Sequence, residues 1–216
     1  AGYRNFVTKL WNAARFAEMN GCAREEGFDP ASCRQPVNRW IVGETARLRE
    51  SVDAALSGYR FNDAASAVYA HVWGVYCDWY LEFAKPLLQG EDAAAKAETR
   101  ACAAWALDQA LILMHPITPF VTEELWAQTG PRATPLIHAD WPAYAAAEMA
   151  DPEADADLGW TIAVIEAIRS ARAEMNVPPG AQAPLVVVGA DAAAAARLAQ
   201  NDALIRRLAR LASVET

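Results

Sequence analysis

The sequence lacks the short motifs by which several enzyme classes bind phosphate, nucleotides or metal. It contains no G-x-x-x-x-G-K-[ST] or G-x-G-x-x-G loop, no G-x-S-x-G turn and no H-E-x-x-H helix. Each of these motifs fixes a nucleophile, a set of backbone amides or a pair of metal ligands at one spacing. Their absence argues against a self-contained enzyme, and we predict no catalytic residue.

Long hydrophobic runs are also missing. No apolar stretch approaches the roughly 18 residues that span a bilayer, and residues 1–6 carry no basic segment followed by an apolar one. We therefore expect neither a membrane anchor nor a signal peptide.

Cysteine and histidine are scarce and scattered. The four cysteines lie 10 or more residues apart without a C-x-x-C pair, and the three histidines form no cluster with them. This spacing gives a zinc site little support and predicts free or structural thiols. We expect no metal site, and unpaired cysteines without a leader favour a cytoplasmic protein.

Alanine, in contrast, is abundant, with 49 of 216 residues, and it is the strongest helix former. The net charge of −8 is unevenly distributed, with +2 in residues 1–60, −11 in residues 61–159 and +1 in residues 160–216. An acidic total predicts weak, salt-sensitive nonspecific binding to nucleic acid, but it leaves room for a local anion site.

Hydrophobic periodicity predicts a mainly α fold, a helical bundle followed by a small, incomplete α/β element. The predicted helices span about 4–20, 36–58, 62–88, 92–115, 118–130, 152–176 and 191–212. Pro178-Pro179-Gly180 predicts a boundary between a helical domain, 1–177, and a partial α/β subdomain, 181–216. Strands are expected at 185–188 and from Ser213 onward, with extended chain around 136–138, and the last element resembles a truncated unit.

One face of the first helix carries polar and aromatic residues together. At about 100° per residue, one stripe contains Asn5, Lys9, Asn12, Phe16 and Asn20, with Arg15 on its flank. Amides can hydrogen-bond base edges, cations can neutralise phosphate, and an aromatic ring can stack on an unpaired base. The stripe is therefore a candidate surface for single-stranded RNA, or else an ordinary polar helix face with Phe16 covered by another helix.

A second polar stripe is predicted on the third helix. It comprises His71, Asp78, Glu82, Lys85 and Gln89. A carboxylate in such a position can accept a hydrogen bond from the N4 amino group of cytosine. The alternative is a solvated helix face, just as the three arginines at 206, 207 and 210 can simply complement a helix dipole.

Four segments, in order, resemble the anticodon-binding region of bacterial valyl-tRNA synthetases, which are class I aminoacyl-tRNA synthetases. They are RNFVTKLWNAARF at 4–16, CDWYLE at 77–82, HPITPFVTEELW at 115–126 and IRSARAEMNVPP at 168–179. The third segment is shared by class I synthetases for branched aliphatic amino acids, whereas K-L-W-N-A-A-R-F and R-x-E-M-N-V-P-P point to valine.

The resemblance implies a helical bundle that binds the anticodon stem-loop of tRNA(Val). It implies RNA contacts from Asn5, Lys9, Asn12, Arg15, Phe16, Asp78, Leu81 and Lys85. In that set Phe16 and Leu81 would be apolar platforms, Asn12 and Asp78 hydrogen-bonding partners, and the three cations backbone contacts. Valine codons begin with GU, so the anticodon bases A and C would be read.

The same resemblance implies that a full-length enzyme would charge tRNA(Val) with valine using ATP and Mg. This chain lacks the His-x-Gly-His and Lys-Met-Ser-Lys-Ser signatures, an editing domain and a long coiled coil, so we expect it to need no cofactor and to be inactive alone. Its partners would be the catalytic and coiled-coil domains of the same chain, besides tRNA. Two alternatives remain: an isoleucyl- or leucyl-type synthetase fragment, and a helical protein-interaction module without RNA affinity.

Overall fold

The computed structural model describes residues 2–215. The chain divides into two compact units, Ala1–Pro152 and Glu153–Thr216. The division thus precedes the long helix that begins near residue 152, whereas the boundary inferred from the sequence, 1–177 and 181–216, follows that helix and stays a prediction.

The first unit is a helical bundle. Its helices are α1 Gly2–Met19, α2 Pro36–Ser57, α3 Phe61–Ala70, α4 Leu81–Gln89, α5 Ala93–Met114, α6 Pro119–Gln128 and α7 Ala146–Met149. A π-helical segment, His71–Tyr80, joins α3 to α4 and makes them one continuous rod. Two 3-10 turns, Pro30–Ser32 and Leu136–His138, lie between helices.

The turn at Leu136–His138 corrects the expectation of extended chain there. The carboxylate of Glu123 accepts hydrogen bonds from the backbone N–H groups of Leu136 (2.7 Å) and Ile137 (3.3 Å). These two bonds hold consecutive amides toward α6 and favour a tight turn over an extended segment.

The second unit contains α8 Pro152–Glu174, β1 Ala183–Val186, α9 Ala192–Ala209 and β2 Leu211–Glu215. The strands β1 and β2 pair in parallel, with Leu185 opposite Val214. The first strand lies two residues earlier than predicted. Helix α9 ends before the predicted Ala212 because Arg210 adopts a left-handed conformation, φ 53°. Thr216 of the predicted last strand lies outside the described residues.

Side-chain caps explain two helix starts. The Asp92 carboxylate accepts from the backbone N–H groups of Ala94 (2.9 Å) and Ala95 (3.0 Å) at the start of α5, and Asp191 does the same for α9 through Ala194. Thr118 occupies the N-cap position of α6, but its hydroxyl donates to the Met114 carbonyl instead of capping an N–H group. The prediction of a mainly α chain with a small incomplete α/β element is confirmed.

The core of the first unit forms where α5 meets α2 and the π-helical segment. Tyr76 and Tyr80 are fully buried, and their hydroxyls donate to the Ala103 carbonyl and to Asn38 Oδ1, each at 3.0 Å. Asn38, also fully buried, donates to Thr99 Oγ1 and to Glu98. Buried polar groups need such partners, so this network fixes α2, α5 and the π-helical segment against one another.

The thiols are all free, and burial raises the pKa of Cys22 to about 11 and that of Cys77 to about 12. Among residues 2–215 no helix is both long and apolar enough to cross a membrane. The same residues hold no group of three or more His, Cys, Asp or Glu side chains placed to bind a metal ion.

His71 begins the π-helical segment and is 4% exposed, with its Nε2 unpartnered. Burial lowers the pKa of His71 to about 4, from an ordinary 6.5. Between pH 6.5 and about pH 4, this histidine is protonated in the unfolded chain but neutral in the folded chain. The free energy of unfolding therefore falls as the pH falls.

We expect His71 to cost about 3 kcal/mol of stability between pH 6.5 and pH 4, and nothing further below that. Urea unfolding of the wild type and of His71→Gln, measured at several pH values across this window, checks it. The wild type should lose stability more steeply than the variant. Parallel pH profiles of the two proteins would contradict the assignment.

A bidentate ion pair lies inside the first unit. Arg132 Nη1 and Nη2 each donate to Asp108 at 2.6 Å, and the two side chains are only 6% and 9% exposed. The guanidinium also lies 3.9 Å from the centroid of the Trp126 ring. The pair therefore holds the loop after α6 against α5.

We expect Asp108→Asn to reduce the free energy of unfolding by about 3–5 kcal/mol, because it leaves a buried guanidinium without its counter-charge. Glu44→Gln, in the half-exposed Arg47–Glu44 pair, is the matched control and should cost about 1 kcal/mol or less. Chemical denaturation of both variants measures the difference, and equal losses would rule out the proposed weight of the buried pair.

Candidate nucleic-acid interface

Helix α1 presents the predicted stripe to solvent. Asn5, Asn12 and Arg15 are exposed, and among residues 4–215 their side chains find no hydrogen-bond or ion-pair partner. Asn20 differs, since its amide donates to the Phe16 carbonyl at 2.8 Å and so closes the end of α1. The stripe therefore offers two free amides and one free guanidinium.

The ion pair between Lys9 and Asp78 brings the two predicted stripes together. Lys9 Nζ donates to Asp78 Oδ1, and the side chains are 25% and 49% exposed. The same ammonium lies 3.9 Å from the centroid of the Trp73 ring. Because Asp78 and Trp73 both belong to the π-helical segment, Lys9 joins α1 to that segment at the surface.

A row of stacked aromatic rings supports this contact, and sequence reasoning missed it. Phe6 and Tyr69 stack at 5.0 Å with an interplanar angle of 28°, and Tyr69 and Trp73 stack at 5.7 Å with 15°. The signal was present as Tyr69 and Trp73, four residues apart and about one helical turn. The row ends at the Lys9 ammonium, a cation–π arrangement that fixes the position of the lysine.

A second cation lies beside the predicted aromatic platform. Lys85 Nζ is 5.6 Å from the centroid of the Phe16 ring and pairs with Glu82 one turn away. Phe16 is half-buried. The ring is thus partly covered, as the alternative interpretation required, and one cation lies near its exposed part.

The π-helical segment explains why the second predicted stripe is only partly correct. Its hydrogen bonds run from residue i to i+5, so successive side chains advance by less than 100° and an α-helical wheel misplaces them. His71 is buried at 4% while Asp78 is half-exposed. The stripe that the structure does form runs from Asp78 through Glu82 to Lys85.

Leu81 is 6% exposed and belongs to the core. Its burial leaves little surface for a base, so the platform role implied for it lacks geometric support. Arg206, at the end of α9, makes local contacts: it donates to the Ala212 carbonyl at 2.7 Å and pairs with Asp202. That arrangement is the one expected for cations near a helix C-terminus.

The electrostatics of the surface are balanced. Of the three cations in the predicted set, Lys9 and Lys85 each have a carboxylate partner, whereas Arg15 has none among residues 2–215. A cation paired at the surface contributes little net attraction to a polyanion, because its partner repels what it attracts. Arg15 is therefore the strongest phosphate-binding candidate of this surface.

The comparisons with known proteins give a family. Residues 38–187 match the model of the anticodon-binding domain of tRNA ligases. The matched range includes the π-helical segment, with Trp73 and Asp78, and begins after α1.

Relatives cover α1 as well. The valine–tRNA ligase of Ruegeria pomeroyi is 57% identical over an alignment of 217 positions that covers 99% of this chain and 21% of the relative. Those of Caulobacter vibrioides and Rhizobium meliloti are 57% and 52% identical, covering 99% and 100% of this chain and 24% and 23% of the relatives. The chain thus spans roughly a quarter or less of the length of these relatives. Because the family model matches more than half of it, the chain belongs to the anticodon-binding domains of tRNA ligases.

Proposed function

We propose that this chain binds the anticodon stem-loop of tRNA(Val) as part of a valine–tRNA ligase. The observation that carries the proposal is the Lys9–Asp78 contact, which joins the free polar groups of α1 to the π-helical segment in one surface. The identity of more than half to valine–tRNA ligases over nearly the whole chain supports the choice of valine.

The groups on this surface suit unpaired bases. Asn5 and Asn12 each carry an amide that can donate and accept at a base edge, and the carboxylate of Asp78, half-exposed, can accept from the cytosine N4 amino group. Phe16 supplies a ring edge and part of a face for stacking. The bases we expect to be read are the A and C that every valine anticodon contains.

The cations divide into two roles. Arg15, exposed and unpaired among the described residues, binds a phosphate of the loop. Lys9 is held by Trp73 and neutralised by Asp78, so it orients the carboxylate that faces the base. Lys85 does the same for Glu82. This assignment changes Lys9 and Lys85 from backbone contacts into positioning residues.

In the whole ligase, valine is joined to tRNA(Val) with ATP and Mg in the cytoplasm, and this chain selects the tRNA. The catalytic and coiled-coil portions of the same chain are then its covalent partners. An isolated chain spanning residues 1–216 would bind RNA without forming aminoacyl-tRNA.

A second candidate is a helical protein-interaction module. The net charge of −11 in residues 61–159 favours it, since an acidic surface repels RNA. An isoleucyl- or leucyl-type fragment is a third, which would keep RNA binding but read other bases. RNA affinity and base preference separate these three.

We expect this chain to bind a hairpin with the valine anticodon more tightly than the same hairpin with its A and C exchanged. Loss of matched base-edge contacts costs about 1–3 kcal/mol, so the preference should be roughly 5-fold to 100-fold. Fluorescence anisotropy at low salt measures both affinities. Equal binding would overturn anticodon reading, and an absence of binding would favour the interaction module.

We expect Arg15→Ala to weaken binding to both hairpins by about 10-fold and to lower the slope of log K against log salt by about 1, because one phosphate contact is lost. The double variant Lys9→Met with Asp78→Asn removes a neutral pair. It should therefore leave the salt slope unchanged while reducing the preference between the hairpins.

Arg34→Ala is the matched control for Arg15, because Arg34 is an exposed arginine ahead of α2 and outside the α1 stripe. Neither affinity nor slope should change in that variant. If the double variant lowers the slope as Arg15→Ala does, then Lys9 contacts phosphate and the positioning role is wrong.

A further inference from the structure

Residues 116, 117, 119 and 120 of the HPITPFVTEELW segment are exposed, and they supply none of the groups assigned to RNA binding. It forms the corner between α5 and α6, where Ile117 is 38% and Phe120 is 91% exposed. Ile137, from the turn Leu136–His138, is 69% exposed beside them. We name Ile117, Phe120 and Ile137 the corner patch.

The corner patch is held in place by hydrogen bonds. Glu123 accepts from the backbone of Leu136 and Ile137, which fixes the turn against α6. His115 Nδ1 lies 2.8 Å from Thr122 Oγ1, which links the end of α5 to α6. The apolar side chains therefore stand on a rigid frame, and their exposure does not come from a loose loop.

Two grooves meet at the corner patch. One, about 400 Å³, is lined by Pro119, Phe120, Ala127 and Ile137, together with three polar residues, His115, Glu123 and Glu124. The other, also about 400 Å³, is lined by six apolar or aromatic residues, among them Phe6, Tyr69, Met114 and Ile117, and by three polar ones. Residues 117–120 separate them by one turn of chain. Exposed apolar side chains grouped near such grooves, with polar residues among them, are typical of an interaction site.

The acidic residues around the corner patch limit which kind of molecule can bind there. Glu123 and Glu124 line the first groove, and residues 61–159, which include the corner patch, carry a net charge of −11. This field repels an RNA backbone, and it also repels the same face of a second copy of this chain. The fitting partner is a protein surface with apolar side chains and a basic edge.

We propose that the corner patch docks another part of the same ligase polypeptide, outside residues 1–216. The relatives are four to five times as long as the stretch they share with this chain, so most of such a ligase lies outside that stretch. The apolar surface stands on a rigid frame, and its acidic surroundings repel both RNA and a second copy. It is therefore an interdomain contact, and this contact orients the RNA-binding surface within the ligase. The proposal rests on the proposed function, because it requires that the chain be part of a ligase.

The test is site-specific photo-cross-linking in the full-length ligase that contains this chain. Phe120 is replaced by a photoreactive benzoyl-phenylalanine, and mass spectrometry identifies the cross-linked peptides. A cross-link within one polypeptide to a segment outside residues 1–216 is expected. Cross-links to a second copy or to tRNA, or none above the level at the control site Met19, which is 80% exposed on α1, would overturn the proposal.

A second measurement does not depend on cross-linking chemistry. Phe120→Asp and, as a milder variant, Phe120→Ala are compared with Met19→Asp in the full-length ligase by limited proteolysis. We expect the Phe120 variants to be cleaved between the docked parts about 5-fold faster or more, since proteolysis follows the population of the open form. Cleavage at the wild-type rate would show that nothing covers Phe120.

The two failures are distinguishable. If docking is wrong but the function is right, the wild-type chain still prefers the valine anticodon hairpin while Phe120 forms no cross-link. If the function is wrong, the hairpin preference is absent whatever Phe120 contacts.

Discussion

The buried hydroxyls of Tyr76 and Tyr80 constrain how the π-helical segment packs in the first unit. Each donates one hydrogen bond across the core, to α5 and to α2, and an unpaired hydroxyl at either site would cost the full desolvation of that group. These bonds fix the rotation of the π-helical segment. With that rotation set, Trp73 and Asp78, on other sides of the same segment, reach the surface beside α1.

The surface at α1 combines a nearly neutral charge with many hydrogen-bonding groups. Lys9 and Lys85 each face a carboxylate, and Arg15 is left as an unpaired cation within the described part of the chain. A strongly acidic protein gains little from nonspecific attraction to a polyanion. Recognition on such a surface depends on base-edge contacts and shape, which favours selectivity over raw affinity.

Much of the fold was predictable, because hydrophobic periodicity, helix-breaking residues and helix caps are local signals in the sequence. The starts of α2 and α5 follow from Pro36 and Asp92, and the α1 stripe follows from 3.6-residue spacing. The π-helical segment was not predictable in this way, since its i to i+5 pattern arises where packing outweighs the α-helical preference. That is why an α-helical wheel places His71 on the same face as Asp78. The stacking of Phe6 on Tyr69 joins two different helices, so no local pattern predicts it.

The sequence by itself determined the helical class, the polar stripe of α1 and, through four ordered segments, the resemblance to the family. Only the tertiary structure decided that Lys9 and Asp78, 69 residues apart, form an ion pair. It also decided that Leu81 lies in the core and that Phe120 is exposed. The physical reason is that a stripe depends on the geometry of one helix. Pairing and burial depend on which helices meet, and that is set by the summed packing of the whole core.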